Sequence, residues 1–375
     1  MQLDAVLSEC DNEAVCAIET LQSRALMDFY QIDPVRDPRW SEFLKKHPSA
    51  SVFHTPAWLE ALRRTYDYEP IAYTSSPPGG EIRNGLVFCR INSWLTGRRL
   101  VSLPFSDHCE PLFGSPEELD LFVERLQAEV KTQALKYLEV RPINESFYPS
   151  GGLLGFRPAR RYHLHVIDLR PDLGQIRQGF HKDSVLRRIR RAEQAGLVEK
   201  TGRSEALLSD FYGLLVLTRA RHDLPPQPYK WFRNLIDCLS DALEIRLAYK
   251  DKTPLAAVLT LRFKDVALYK YGCSDTKYKH LGAMPLLLWR AIEYAKSTFA
   301  REFSLGRSDE DNAGLIAFKN HWTQHTTPLI YWRDPGPATL KSNEDWRISM
   351  VKRVFSLMPN RVLAATGRLI YRHIG

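Results

Sequence analysis

Apolar and polar positions alternate along this chain in two rhythms, and the changes between them mark its elements. A helical spacing over 56–65 opens with Pro56, a first-turn residue behind the capping candidate Thr55. Ile71–Thr74 and Leu86–Ile91 read as strands on either side of the turn Pro77-Pro78-Gly79-Gly80. Leu100–Leu103 is a third strand and runs into the polar loop Phe105–Pro111. Helix 116–134 and strand Tyr137–Val140 follow, and Gly151, Gly152 and Gly155 mark a joint. The alternating stretch 162–169 is expected to link the two halves of the chain.

Beyond the joint, a basic helix is predicted over 183–195, ended by Gly196, and then helices 205–220 and 229–240 around Leu224-Pro225-Pro226. Three strands come in close succession, Ile245–Tyr249, Ala256–Phe263 and Ala267–Tyr271, with connections short enough for a meander. Helix 285–299, strand Glu302–Leu305, helix 312–321 and strand Leu329–Trp332 complete the order. This is an α/β pattern, and the first half echoes it with shorter pieces. We expect a variable leader over 1–30, domains over 31–160 and 161–335, and a basic amphipathic helix over 340–375. No short-period repeat is present, which excludes a solenoid.

Composition narrows the class. The chain has 375 residues, 44% of them hydrophobic, which is more than one core usually covers. No stretch approaches the roughly 20 apolar residues of a membrane span. The acids Asp4, Glu9, Asp11 and Glu13 disfavour an export signal, so a cytoplasmic protein is expected. Cysteines 10, 16, 89, 109, 238 and 273 have no metal-ligand spacing, so no metal is expected. A net charge of +8 favours anionic partners such as a phosphorylated cofactor, tRNA or an acidic lipid surface. The excess gathers near 182–191 and after Arg347.

The order helix, helix, meander, loop, helix, strand, helix, strand resembles the GNAT acyltransferase fold. Two such units in tandem look like the Fem family of peptidoglycan-modifying aminoacyltransferases and its acetyltransferase-like bacterial relatives. Three stretches carry the resemblance: Arg188–Gly196, close to a basic helix ending in Ala-Glu-x-x-Gly; Phe303–Ser308, similar to a strand ending in glycine; and Gly314–Trp322, which matches Gly-Leu-x-x-Phe-Lys. His54 with Trp58, Trp94–Arg99 and Pro104–Glu110 are similar to a subgroup tied to bacterial surface-polysaccharide systems. Where the peptidoglycan enzymes carry a coiled-coil arm, Ser204–Ser240 holds two helices of ordinary length.

Several residues are candidates for chemistry. His280, Leu281, Gly282 and Ala283 stand between a strand and a helix start, where backbone N–H groups favour an anion; the resemblance implies the phosphates of acyl-CoA. The alternative is a turn that needs glycine for its backbone alone. Lys319 lies off the stripe of Leu315, Phe318 and Trp322, which on pattern alone means a solvated lysine. The resemblance implies instead an active-site lysine that stabilises an oxyanion. Arg307 suits a carboxylate or phosphate, and Asp309 or Asp311 a general base if burial raises its pKa, or else a helix cap. Asp107, His108 and Glu110 share one loop, with Asp107 a second candidate base and the others facing the acceptor. Tyr271 and Ser274 are offered as hydrogen-bonding residues for substrate, against plain strand packing.

The expected function is acyl transfer from an activated donor to an amine or hydroxyl of a cell-envelope, peptidoglycan-type or exopolysaccharide precursor. Its rivals are aminoacyl-tRNA-dependent transfer and a non-catalytic scaffold held at the inner membrane by residues 347–375. In that tail Arg361, Arg368 and Arg372 line one helical stripe beside an apolar flank.

Overall fold

A computed structural model describes residues 29–131, 133–145, 155–336, 367 and 370–373. Nearly all of the expected leader and basic tail, and the glycine pair at 151 and 152, lie outside the described residues. The first half runs β1 (Tyr30–Ile32), α1 (Pro38–Lys46), α2 (Pro56–Tyr66), β2 (Glu69–Thr74), β3 (Leu86–Ser93), β4 (Gly97–Val101), α3 (Pro116–Lys131) and β5 (Tyr137–Val140). Asp37 and Thr55 cap α1 and α2 by accepting from the backbone N–H groups of Arg39 and Trp58, each with proline as the next residue.

The second half runs β6 (Arg157–Asp168), α4 (Leu173–Gln178), α5 (Arg187–Gln194), β7 (Val198–Gly202), α6 (Glu205–Arg221) and α7 (Tyr229–Leu239). The meander β8 (Leu243–Lys250), β9 (Thr253–Phe263) and β10 (Val266–Ser274) comes next. Then follow α8 (Ala283–Ser297), β11 (Glu302–Asp309), α9 (Ala313–Asn320) and β12 (Thr326–Asp334). The expected helix 183–195 divides into a π-helical turn, Lys182–Leu186, and α5. Strand β7 was not foreseen: Val-Glu-Lys-Thr-Gly is polar and largely exposed, because it forms the outer edge of the sheet.

All twelve strands among the described residues belong to one sheet, in the order β1-β2-β3-β4-β5-β12-β6-β11-β10-β9-β8-β7. The last strand in sequence lies inside it, antiparallel to β5 on one side and β6 on the other. The expected division at 160 and 161 falls within β6. Helix α3 covers the first half of the sheet through Phe122, Val123 and Leu126. On the second half, α5 and α8 pack one face. The opposite face and α6 and α7 share a cluster with α1 and α2. There the halves clasp: Trp58 of α2 meets Trp231 of α7 edge-on at 5.3 Å.

Candidate active site at the junction of the two halves

Strands β10 and β11 are parallel, yet they pair only from Val266 to Leu268 against Glu302 to Ser304. Past that point each strand slips against its other neighbour. β10 bulges between Tyr269 and Tyr271 against β9, and β11 between Ser304 and Gly306 against β6. A bulge bends its strand and sharpens the twist, so two at the point of divergence drive the strands apart. The back half of the sheet therefore splays.

Four charged side chains meet at this gap. The β10 bulge presents Lys270, whose Nζ lies 2.8 Å from Oδ1 of Asp107. The rings of Phe53 and Trp58 stand 5.0 and 5.8 Å from the same nitrogen. Asp107 thus comes from the first half and closes on the second. Its backbone carbonyl accepts a 2.6 Å bond from the Tyr331 hydroxyl, which in turn accepts from Arg307 at 2.6 Å. The Arg307 guanidinium also lies 4.1 Å from the ring centre of Tyr162. Gly306 has φ +73, and a Cβ there would stand 3.0 Å from Oδ2 of Asp107. Glycine is required both for the backbone and for that approach.

Lys319 arrives from the other layer, since α9 packs Phe318 and Trp322 into the cluster of α5 and α8. Its Nζ donates to the carbonyl oxygens of Gly306 at 2.9 Å and Arg307 at 2.6 Å. Three N–H bonds belong to a lysine ammonium, so these two leave a third. Lys319 is 3% exposed and the most buried residue of its helix. The solvated lysine that the pattern suggested is overturned. What buries it is the packing of α9 against β11, whose backbone carbonyls take the Lys319 ammonium.

The electrostatics follow from burial. Desolvation lowers the Lys319 pKa to about 8, with Lys270 and Arg307 adding to the effect and Asp107 opposing it. Lys270 is also pushed down, by burial first, against the pull of Asp107. Burial would raise the Asp107 carboxyl, but Lys270, Arg307 and Lys319 outweigh it and hold it below the ordinary range. It is an anchoring charge and a weak base. His108 is brought to about 4 by burial, and its Nδ1 has no hydrogen-bond partner among the described residues. His165 of β6, also near 4 through burial, leaves Nε2 equally unpartnered.

The other expected site residues are dispersed. Asp309 ends β11 exposed to solvent, with its charge reaching Arg307 and Lys319, and Asn312 rather than an aspartate caps α9. Glu110 accepts from the backbone N–H groups of Ile143 and Asn144, and burial raises it to about 7. Tyr271 is buried and accepts from Trp231 at 2.9 Å, while Ser274 exchanges backbone bonds with the Thr218 hydroxyl. Both contacts are packing contacts. His280 and Leu281 end a 3-10 turn, Gly282 is left-handed at φ +77, and α8 begins at Ala283. A Cβ on Gly282 would lie 2.2 Å from the Arg188 carbonyl, so this glycine lets the turn pack on α5. No side chain caps the α8 start. Exposed Arg187, Arg188, Arg190, Arg191, Lys277 and Lys279 lie on α5 and on the 3-10 turn before α8, and Arg191 donates to the His280 carbonyl.

Sequence reasoning missed Lys270, Tyr331 and His165. A lysine inside the apolar run Ala-Leu-Tyr-Lys-Tyr was a visible signal for the first. Among the described residues no cluster of His, Cys, Asp and Glu is arranged to hold a metal.

Residues 179–320 match the family model for the acetyltransferase (GNAT) domain. This stretch is a GNAT-type acetyltransferase domain. The GNAT domain spans α5 to α9 and so contains Lys270, Arg307 and Lys319, and the protein is an acyltransferase. Solved structures extend the GNAT resemblance over both halves. FemX superposes with a TM-score of 0.64 at 14% identity, covering 86% of this chain and 100% of FemX. A tandem GNAT protein from the clavulanic acid biosynthesis pathway gives 0.50 at 12%, covering 83% and 99%. L-PGS from Bacillus licheniformis gives 0.53 at 13%, covering 87% and 99%. At these identities the likeness is one of fold, and the relationship is distant. No curated protein sequence matches the chain.

Proposed function

We propose that this protein moves an acyl group from acyl-CoA to an amine or hydroxyl of a cell-envelope or exopolysaccharide precursor, with the chemistry at the junction of its halves. The observation that carries this reading is the meeting of Lys270, Arg307 and Lys319 with a single buried carboxylate, Asp107, at the gap between β10 and β11. Such a site favours negative charge that develops during reaction. The acceptor nitrogen or oxygen attacks the donor carbonyl, and the remaining N–H of Lys319 meets the oxyanion. Collapse breaks the bond to sulfur, and CoA leaves as the thiol with the proton that the acceptor loses. Asp107 fixes Lys270 and the geometry of the gap. The uncapped start of α8 and the exposed cations of α5 and the 3-10 turn before it suit the donor's phosphates.

Those same arginines favour a second reading, in which the donor is an aminoacyl-tRNA. Purified protein offered labelled acyl-CoA or charged tRNA, with a fractionated pool of envelope precursors, separates the two. Label reaching a glycan or peptide precursor from CoA supports the first reading, and label only from tRNA supports the second. Transfer from neither donor overturns both and favours the scaffold. Peripheral contact with a membrane fits the solvent-exposed Trp94 and Leu95, with Trp94 edge-on to the His373 ring. Among the described residues no helix is long and apolar enough to cross one.

A further inference from the structure

A pocket of about 220 Å³ lies between the halves, next to the charged cluster. One wall is Leu268 of β10 and Ser304 of β11, the last paired residues before those strands part. The facing wall is Val52 and Phe53 from the turn between α1 and α2. Phe53 belongs to both places, lining the pocket and standing 5.0 Å from Nζ of Lys270. Val166 lines the floor together with the ring of His108, and Val266, 36% exposed, sits at the rim with the exposed Glu302.

This position has a chemical meaning. A carbonyl held at the gap by Lys319 lies just past Gly306, and two residues back along β11 is Ser304. A substituent on that carbonyl, directed away from the open end of the gap, runs along Leu268 and Ser304 into the pocket. An acetyl group would leave most of that space empty. A cavity of about 150 Å³ with apolar walls accepts benzene, so the volume here suits roughly six to eight carbons.

We propose that the transferred acyl group is a medium-length, uncharged hydrocarbon chain of about six to eight carbons, seated between β10, β11 and the turn 48–53. This rests on the reading of the protein as an acyl-CoA-dependent transferase and names its donor class.

Calorimetric titration of the full chain with CoA, acetyl-, butyryl-, hexanoyl-, octanoyl- and dodecanoyl-CoA tests it. Each buried methylene should tighten binding about fourfold until the pocket is full, with no further gain from octanoyl to dodecanoyl. Val166→Phe fills the floor and should lower the octanoyl-to-acetyl affinity ratio at least tenfold. Val266→Phe, at the exposed rim, is the second variant should the first fail to fold, and it should shift the ratio in the same direction. Octanoyl-CoA binding no tighter than acetyl-CoA overturns the proposal, as does tight octanoyl binding indifferent to both substitutions. Tight, substitution-sensitive binding with no transfer to any acceptor leaves the pocket assigned and removes the transferase reading instead.

Discussion

The two halves of the sheet contain the same device and use it differently. In the first, β4 and β5 run parallel and pair over Arg99–Val101 against Tyr137–Glu139. In the second, β10 and β11 pair over an equally short stretch. Beyond the first pair the polar groups are matched among themselves. Glu139 takes Arg141 at 2.7 Å and Arg333 at 2.6 Å, and Arg141 also donates to the Leu103 carbonyl. Beyond the second pair, three cations face one carboxylate, and that carboxylate is borrowed from the first half. One opening has been closed with both of its guanidiniums hydrogen-bonded to a carboxylate, and it serves as a frame. The other keeps an unbalanced field, which is what a reaction that creates an anion requires.

Removing Glu139 is the harshest test of that contrast. Glu139→Ala strands the buried Arg141 and the half-buried Arg333 and should cost about 3–5 kcal/mol of stability, read as a lower denaturant midpoint. Its carboxyl, brought down to about 2 by Arg141 and Arg333 against the opposing effect of burial, is ionised over the whole working range. A Glu139→Ala protein as stable as the parent would mean that the first half is not the frame. Lys319→Met should leave the fold intact and cut kcat by about 10²–10³. Because the Lys319 charge is lost as pH rises through about 8, the parent's rate should fall above that pH. The Met variant's residual rate should lack that limb.

Glu110 gives a smaller effect, with the same sense but at lower pH. Its pKa rises from an ordinary 4.5 to about 7 on folding, through burial. The folded state therefore holds a proton that the unfolded state has released between those values. Stability attributable to this group is present below pH 4.5 and lost as pH rises to 7, a change on the order of 3 kcal/mol. Glu110→Gln should flatten that slope in urea melts at pH 5 and 7. The least effect is expected from Asp309→Asn, whose side chain lies in solvent at the strand end. A loss of activity beyond about threefold would return it to the chemistry.

Much of this architecture could be read in advance because its elements announce themselves locally. The meander 243–274 is three apolar-rich runs joined by two-residue turns. The Gly-Leu-x-x-Phe-Lys stretch located Lys319 by resemblance where its helical stripe pointed the wrong way. The pairing of Asp107 with Lys270 was not legible, for its partners are 163 residues apart in sequence. Nor did the alternation of Tyr269, Lys270 and Tyr271 reveal that a bulge re-aims the lysine. Asp309 stood out and Lys270 did not, because proximity to a strand end is visible in a sequence, whereas burial is not. Gly282 stood out as a candidate anion site, and its left-handed backbone and close contact with the Arg188 carbonyl supply a packing reason that the turn alone did not show.

The place of β12 bears on how the molecule is made. A ribosome releases residues 326–334 after every other described strand, yet the finished sheet needs them between β5 and β6. Until they emerge, two strand edges near the middle of the nascent sheet stay open to stray pairing. Stalled or shortened chains that stop before Thr326 should therefore clump or require chaperones, even though all the cations of the gap have by then been synthesised.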